Sequence, residues 1–325
     1  MPQSRYPLVQ ALRAIAALSV ALHHVLYEAV TLGGESASWA NAIQSAMPWE
    51  AGVDIFFVIS GFVILHASTP LFEQGWPGLR RFLARRVARI VPLYWAVTTL
   101  YIVGATAGLG TISGPMSILA SYAFIPFARP NSLVQPVFAL GWTLNNEMFF
   151  YALFAAVLWM RRERAIVCLT LVLGGLVAAN ATFGFTNVAL KFWSEPIVLE
   201  FLLGIWIRAM LPIGFGLPLW TRIGLAALAL LALYADVVSE GVSRPVGWGI
   251  PAALLVIAAV TATRERASRW TSFATRIGDA SYALYLLHPF VMRAMGLTWR
   301  GLGPTSPGWA LIFVGRRSRW RAPLH

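Results

Sequence analysis

The feature that most constrains this chain is the return of apolar stretches, each near the roughly 20 helical residues needed to cross about 30 Å of hydrocarbon. They fall at 8–30, 50–68, 88–108, 142–160, 165–184, 195–211, 217–235, 246–263 and 279–299. Lipid offers no hydrogen bonds to a backbone, so segments of this length must be helices that satisfy themselves. The expected fold is therefore all-α: a polytopic transmembrane helix bundle of about nine full spans. A tenth apolar stretch at 308–315 is short or truncated, and a basic tail follows at 316–325. One domain is expected over 1–315. Composition agrees: 58% of the 325 residues are hydrophobic and 12% charged, against about a quarter charged in soluble domains.

The formal net charge of +12 would suggest nucleic acid in a soluble protein. Here the basic residues sit in short clusters between apolar stretches, so no nucleic-acid partner is expected and the charges serve as topology signals. With the N-terminus and Arg5 cytoplasmic, the next inner loop holds Arg80, Arg81, Arg85 and Arg86, and Arg89 opens the third span. The stretch 112–127 is apolar but broken by Pro115 and Pro126. Counted as a crossing, it would put Arg161, Arg162 and Arg164 outside; as a re-entrant segment it leaves them inside. The second choice leaves Arg129, Lys191, Arg244, Arg293 and Arg300 outside and the other 20 of 25 basic residues inside, as the positive-inside rule requires. The expected location is a bacterial-type inner membrane, with the N-terminus cytoplasmic.

Other features say less. The first apolar run is long enough to remain as a span and carries no small-residue cleavage site. The single cysteine, Cys168, reads as a small buried hydrophobe. No internal repeat is visible, which disfavours many transporters. No metal and no permanently bound cofactor are expected.

Ionisable residues inside hydrophobic spans are costly to insert, so each is a candidate site with a partner to be found. In the first span Arg13 and His24 lie eleven residues apart. Eleven steps of about 100° bring them to one helix face, roughly 16 Å apart, while His23 points elsewhere. The geometry suits a long ligand with an anionic head at Arg13 and its reactive end at His24, and an acyl-CoA has that shape. His24 reads as a general base toward a sugar hydroxyl or as an interfacial histidine on a backbone carbonyl. Asp54 in GVDIFFVISGF reads as the group orienting that imidazole or as a helix N-terminal carboxylate. Ser60 and Gly61 read as close helix packing, with Ser60 a weaker polar candidate. Arg86 and Arg89, at i and i+3, read as a phosphate clamp or as positive-inside charge. Glu147, counted as five residues inside the outer end of its span, could position a sugar, share a proton with His24 or pair with Arg129. Trp142 and the run from Phe149 to Tyr151 read as interfacial anchors or as faces for sugar rings. Tyr282, Tyr285 and His288, three apart before Pro289, read as a substrate-binding face or as packing around the proline.

Five segments in order, LRAIAALSVALHH, GVDIFFVISGFVI, RRVARIVPLYW, WTLNNEMFFY and SYALYLLHPF, resemble the acyltransferase-3 family of membrane O-acyltransferases. The resemblance covers residues 8 to about 295. It implies an acyltransferase domain over 1–315 that moves an acyl group, acetyl being the simplest, from cytoplasmic acyl-CoA as co-substrate. The acceptor would be an exopolysaccharide or another surface glycan, or a lipid-linked sugar. It implies a catalytic role for His24, CoA contacts for Arg13, Arg86 and Arg89, and a functional carboxylate at Glu147; Asp54 and Glu147 are not assigned separately. A polysaccharide synthesis and export machinery is a compatible partner, besides membrane lipid. The chain shows no extracytoplasmic hydrolase-like domain of the kind some members carry. The alternatives are a transporter or flippase for a glycan or lipid-linked sugar, and a sensor or assembly subunit.

Overall fold

The computed structural model describes residues 6–33, 38–109, 114–129, 133–239, 242–262 and 269–302. They form α1 (Pro7–Gly33), α2 (Ser38–Gln44), α3 (Gly52–Ser68), α4 (Gly75–Gly104), α5 (Pro115–Tyr122) and α6 (Trp142–Val157). Then come α7 (Arg162–Phe183), α8 (Val188–Trp193), α9 (Leu199–Met210), α10 (Leu219–Ser239), α11 (Ile250–Val260) and α12 (Arg269–Leu302). Among the described residues, extended pairing is limited to an isolated bridge between Ala128 and Val134. The protein is a helical membrane protein. Five segments have the length and hydropathy of a membrane span: Pro7–Thr31, Trp49–Leu71, Gly75–Gly108, Arg162–Phe183 and Leu219–Asp236. Of the other expected spans, 142–160 and 195–211 are helical over 16 and 12 residues, as α6 and α9. The stretch 246–263 becomes a π turn plus α11, and 279–299 lies within the 34 residues of α12. The tenth stretch, 308–315, and the tail lie outside the described residues.

The arginines at 80–86 do not form a loop. They are the first turns of α4, because Arg, Ala and Leu favour helix and a stripe at fourfold spacing, Gly78, Phe82, Arg86, Ile90 and Tyr94, is buried. Contacts along the helices fix their relative directions. Tyr6 meets Phe62 and His66, whereas Ser19 bonds the carbonyl of Trp49, so α1 and α3 are antiparallel. Phe82 meets Tyr151 and Phe154, whereas Tyr94 lies against Gly141, so α4 and α6 are antiparallel too. Had the stretch between them crossed the membrane, α4 and α6 would run in the same direction. α1 and α12 are parallel, with Gly278 against Gln10 and His288 against His24.

α5 has eight residues and is about 12 Å long, so it cannot cross. The chain from 133 to 141 then lies buried without α-helix, with Val137, Phe138 and Leu140 inside. Non-helical backbone at such depth needs partners within the protein. Arg129 supplies them, donating through Nε to the Gln135 carbonyl at 3.2 Å and through Nη2 to the carbonyls of Pro136 and Val137. Ser121 Oγ accepts from the Val137 amide at 2.7 Å.

α3 runs through the middle of the bundle and is buried on most sides. It crosses α9 where two glycines meet: a Cβ on Gly61 would strike the Phe201 carbonyl, and one on Gly204 the Val58 carbonyl. Apolar contact drives little association in lipid, so packing has to hold such a crossing. Phe201 stacks on Phe57 and Phe150 with ring centroids 4.5 and 4.3 Å away. α7 and α10 expose most of their apolar surface and form the periphery.

Candidate active site

α1, α3, α4, α6 and α12 together line a cleft with about 740 Å³ of empty space, its open mouth included. Its charged lining is Arg13, Arg86, Arg89 and Glu147. Three guanidinium groups therefore face one carboxylate. Arg86 is 8% exposed, and its guanidinium carbon lies 5.6 Å from the Phe82 ring centroid and 5.7 Å from that of Tyr151. Rings at this distance stabilise a cation without neutralising it. The Arg86 Nε has no hydrogen-bond partner among the described residues. Arg13 donates to Gln10 Oε1, one turn earlier on α1, at 3.2 Å.

Glu147 is held firmly. Its Oε1 accepts from Ser60 Oγ at 3.2 Å and from the Tyr151 hydroxyl, one turn further along α6. It therefore belongs to the arginine layer. Neither His24 nor Arg129 is its partner here, and Arg129 is committed to the carbonyls of the buried loop. Sequence reading sets Glu147 in one layer with His24; the structure groups it with the arginines instead. In the structure α6 begins inside the bundle, where Trp142 lies 6.4 Å from Phe57 between ring centroids.

His24 does not line the cleft. Its ring stacks on that of His288 with centroids 5.2 Å apart and planes at 28°. Its neighbour His23 turns away and pairs through Nδ1 with Glu50 Oε2 at 2.9 Å. Along α12 the expected ladder is present. Tyr282 and Tyr285 line the cleft, and the Tyr285 ring centroid is 6.2 Å from that of His288. The tyrosine hydroxyls also have structural partners: Tyr282 donates to the Ile90 carbonyl at 2.8 Å, and Tyr285 lies 3.2 Å from both Thr143 Oγ1 and the Leu140 carbonyl.

Asp54 does not orient an imidazole. It is 0% exposed, and both of its oxygens accept from Arg244, Nε and Nη2 each at 2.9 Å. A guanidinium satisfies both oxygens of a buried carboxylate at once, and an imidazole would satisfy one. The same guanidinium lies 4.6 Å from the Trp248 ring centroid and 5.9 Å from that of Trp142, so Trp142 covers a cation where a sugar face was expected. Glu200, also 0% exposed, completes this group beside Asp54 and Gly249. Sequence reading passed over Arg244, taken only as an outer charge. It also passed over Glu200, although a carboxylate inside the stretch 195–211 met the criterion that singled out Glu147.

The chain matches the model of a family described as an acyltransferase domain, acyltransferase-3, over residues 8–315, and it belongs to that family. It is 33% identical over 273 residues to the exopolysaccharide production protein ExoZ of Rhizobium meliloti (strain 1021), covering 79% of this chain and 81% of that one. The acyltransferase MdmB of Streptomyces mycarofaciens is 26% identical over 324 residues, 89% of this chain and 79% of its own. Protein 2 in the picA locus of Rhizobium radiobacter is 27% identical over 173 residues, 47% of this chain and 83% of its own. No solved structure gives a significant match.

Proposed function

From that membership we propose that this membrane acyltransferase takes an acyl group, acetyl in the simplest case, from acyl-CoA and places it on a hydroxyl of an exopolysaccharide or related surface glycan. The excess of guanidinium over carboxylate carries this reading: Arg13, Arg86 and Arg89 line the cleft with Glu147, and Asp279 is the other carboxylate acting on Arg13. Arginine's forked donors suit phosphate, and coenzyme A presents phosphates at one end and its thioester at the other. The name of the relative ExoZ supports a glycan acceptor. In this reading the N-terminus and the arginine-rich end face the cytoplasm, across the inner membrane of a bacterial cell.

The donor's phosphates rest on the three arginines, whose approach Glu147 sets, and its pantetheine arm lies along Phe56, Phe57 and Tyr285. The thioester then lies toward His24, about 16 Å from Arg13 along α1. His24 removes the acceptor's hydroxyl proton as the oxygen attacks the thioester carbon; the C–S bond breaks and coenzyme A leaves. Asp54 acts through Arg244 on the start of α6, as a positioning residue.

The test uses the full chain in lipid vesicles with labelled acetyl-CoA and a glycan acceptor. The expected result is coenzyme A release matched by label on the glycan, both abolished by His24→Ala at normal protein level. Full acylation by His24→Ala would sink the mechanism. Glycolipid crossing between leaflets with no coenzyme A released would favour a transporter.

A further inference from the structure

The geometry points to His288 as a second proton carrier that works with His24, passing the acceptor's proton toward the departing sulfur. This rests on the proposed acyl transfer with His24 as base. His288 is 8% exposed, and neither ring nitrogen makes a hydrogen bond among the described residues. The carbonyls of Tyr285 and Leu284 lie beside the ring and offer a place for one N–H, which leaves the other nitrogen of this enclosed imidazole still to be satisfied. The ring stands between two functional surfaces. On one side it stacks on His24 at 5.2 Å; on the other lies Tyr285, which lines the cleft.

The backbone prepares it for the role. Pro289 follows His288 inside α12 and has no N–H, so the Tyr285 carbonyl four residues earlier lacks its helical donor. The His288 ring lies beside the carbonyls of Tyr285 and Leu284. A proton on one ring nitrogen, held toward those carbonyls, leaves the other nitrogen as an acceptor in the plane of the ring, at the edge of the stack with His24. The two rings are stacked, so the proposed transfer requires a bridging hydroxyl or water at their edges, or a turn of one ring about its side-chain bonds. The groups facing the pair are His23 and Glu50, paired with each other beside His24, and Tyr285 on α12 itself.

The balance of the step is closed. The hydroxyl O–H breaks and the acyl C–O bond forms; C–S breaks, and the proton passes from His24 to His288 and ends on sulfur as the free thiol. No oxidant or reductant takes part.

The test compares His24→Ala, His288→Gln and His288→Ala, each as the full chain in lipid vesicles. Acyl-CoA binding is measured beside kcat, KM and the pH profile. For His288→Gln the expectation is a kcat lower by about 100-fold, the size of one proton-transfer contribution. KM and acyl-CoA binding should be unchanged, with the acidic limb of the kcat profile altered. Added imidazole should restore part of the activity of His288→Ala. A His288→Gln enzyme with native kcat and pH profile, beside an inactive His24→Ala, overturns the relay and leaves the acyl-transfer reading standing. Loss of acyl-CoA binding in both His288 variants, with no imidazole rescue, also overturns it and makes the residue structural. Activity persisting in His24→Ala overturns the underlying reading instead.

Discussion

Two groups of arginines and carboxylates lie within this bundle, and they are built on opposite principles. Around Asp54 the buried carboxylates are matched by one cation: Arg244, its side chain 34% exposed, grips both Asp54 oxygens at 2.9 Å with two tryptophans flanking its guanidinium, and Glu200 lies beside the pair. Around Glu147 the balance is left open, because three arginines share one carboxylate that is already occupied by Ser60 and Tyr151. A closed pair in low dielectric holds helices in place, and breaking it strands a charge. In the proposed reading, the cluster with more cations than anions beside empty space receives the phosphates of the donor. The same residue types thus close on each other in one place and leave cations facing empty space in the other.

The contrast breaks first at Arg244. Arg244→Ala should cost about 3–5 kcal/mol by stranding Asp54, read as a lower unfolding temperature in detergent. Asp54→Leu combined with Arg244→Met should recover most of it, and failure of the double variant to recover would show that the pair does more than match charge. Arg86→Ala should leave the unfolding temperature nearly unchanged and raise KM for acyl-CoA by about 10- to 100-fold, the worth of one charged hydrogen bond to a phosphate. An unfolding loss as large as that of Arg244→Ala would place Arg86 in the architecture instead. Ser60→Ala sharpens the comparison at the small end. It removes one of two donors to Glu147 Oε1 and should cost about 0.5–1.5 kcal/mol, measured as weaker acyl-CoA binding by isothermal titration.

Much of the group around Glu147 was legible in the sequence, because arginines on a helix face and carboxylates in apolar spans announce themselves by their cost in lipid. Arg86 and Arg89 line one cleft as their spacing suggested, Arg13 joins them from α1, and His23 and His24 diverge as the helix rotation requires. The partner of Asp54 was not legible. Arg244 is 190 residues away in the chain, and local spacing carries no information about it. Glu147 was found but set at the wrong depth, since nothing in WTLNNEMFFY reveals that α6 starts within the bundle behind a buried loop pinned by Arg129. The loop arginines of 80–86 were misread for a simpler reason: a charged helix that continues a membrane span resembles a loop when hydropathy alone sets the boundary.

The parallel pairing of α1 with α12 has a consequence for biogenesis. His24 is among the first residues to leave the ribosome, and His288 follows 264 residues later. At roughly 5–20 residues per second, the nascent chain spends on the order of ten to fifty seconds in the membrane with its first helix lacking its final neighbour. During that interval the imidazole pair does not exist. If the pair works as proposed, the insertion of α12 is the step that completes the chemistry.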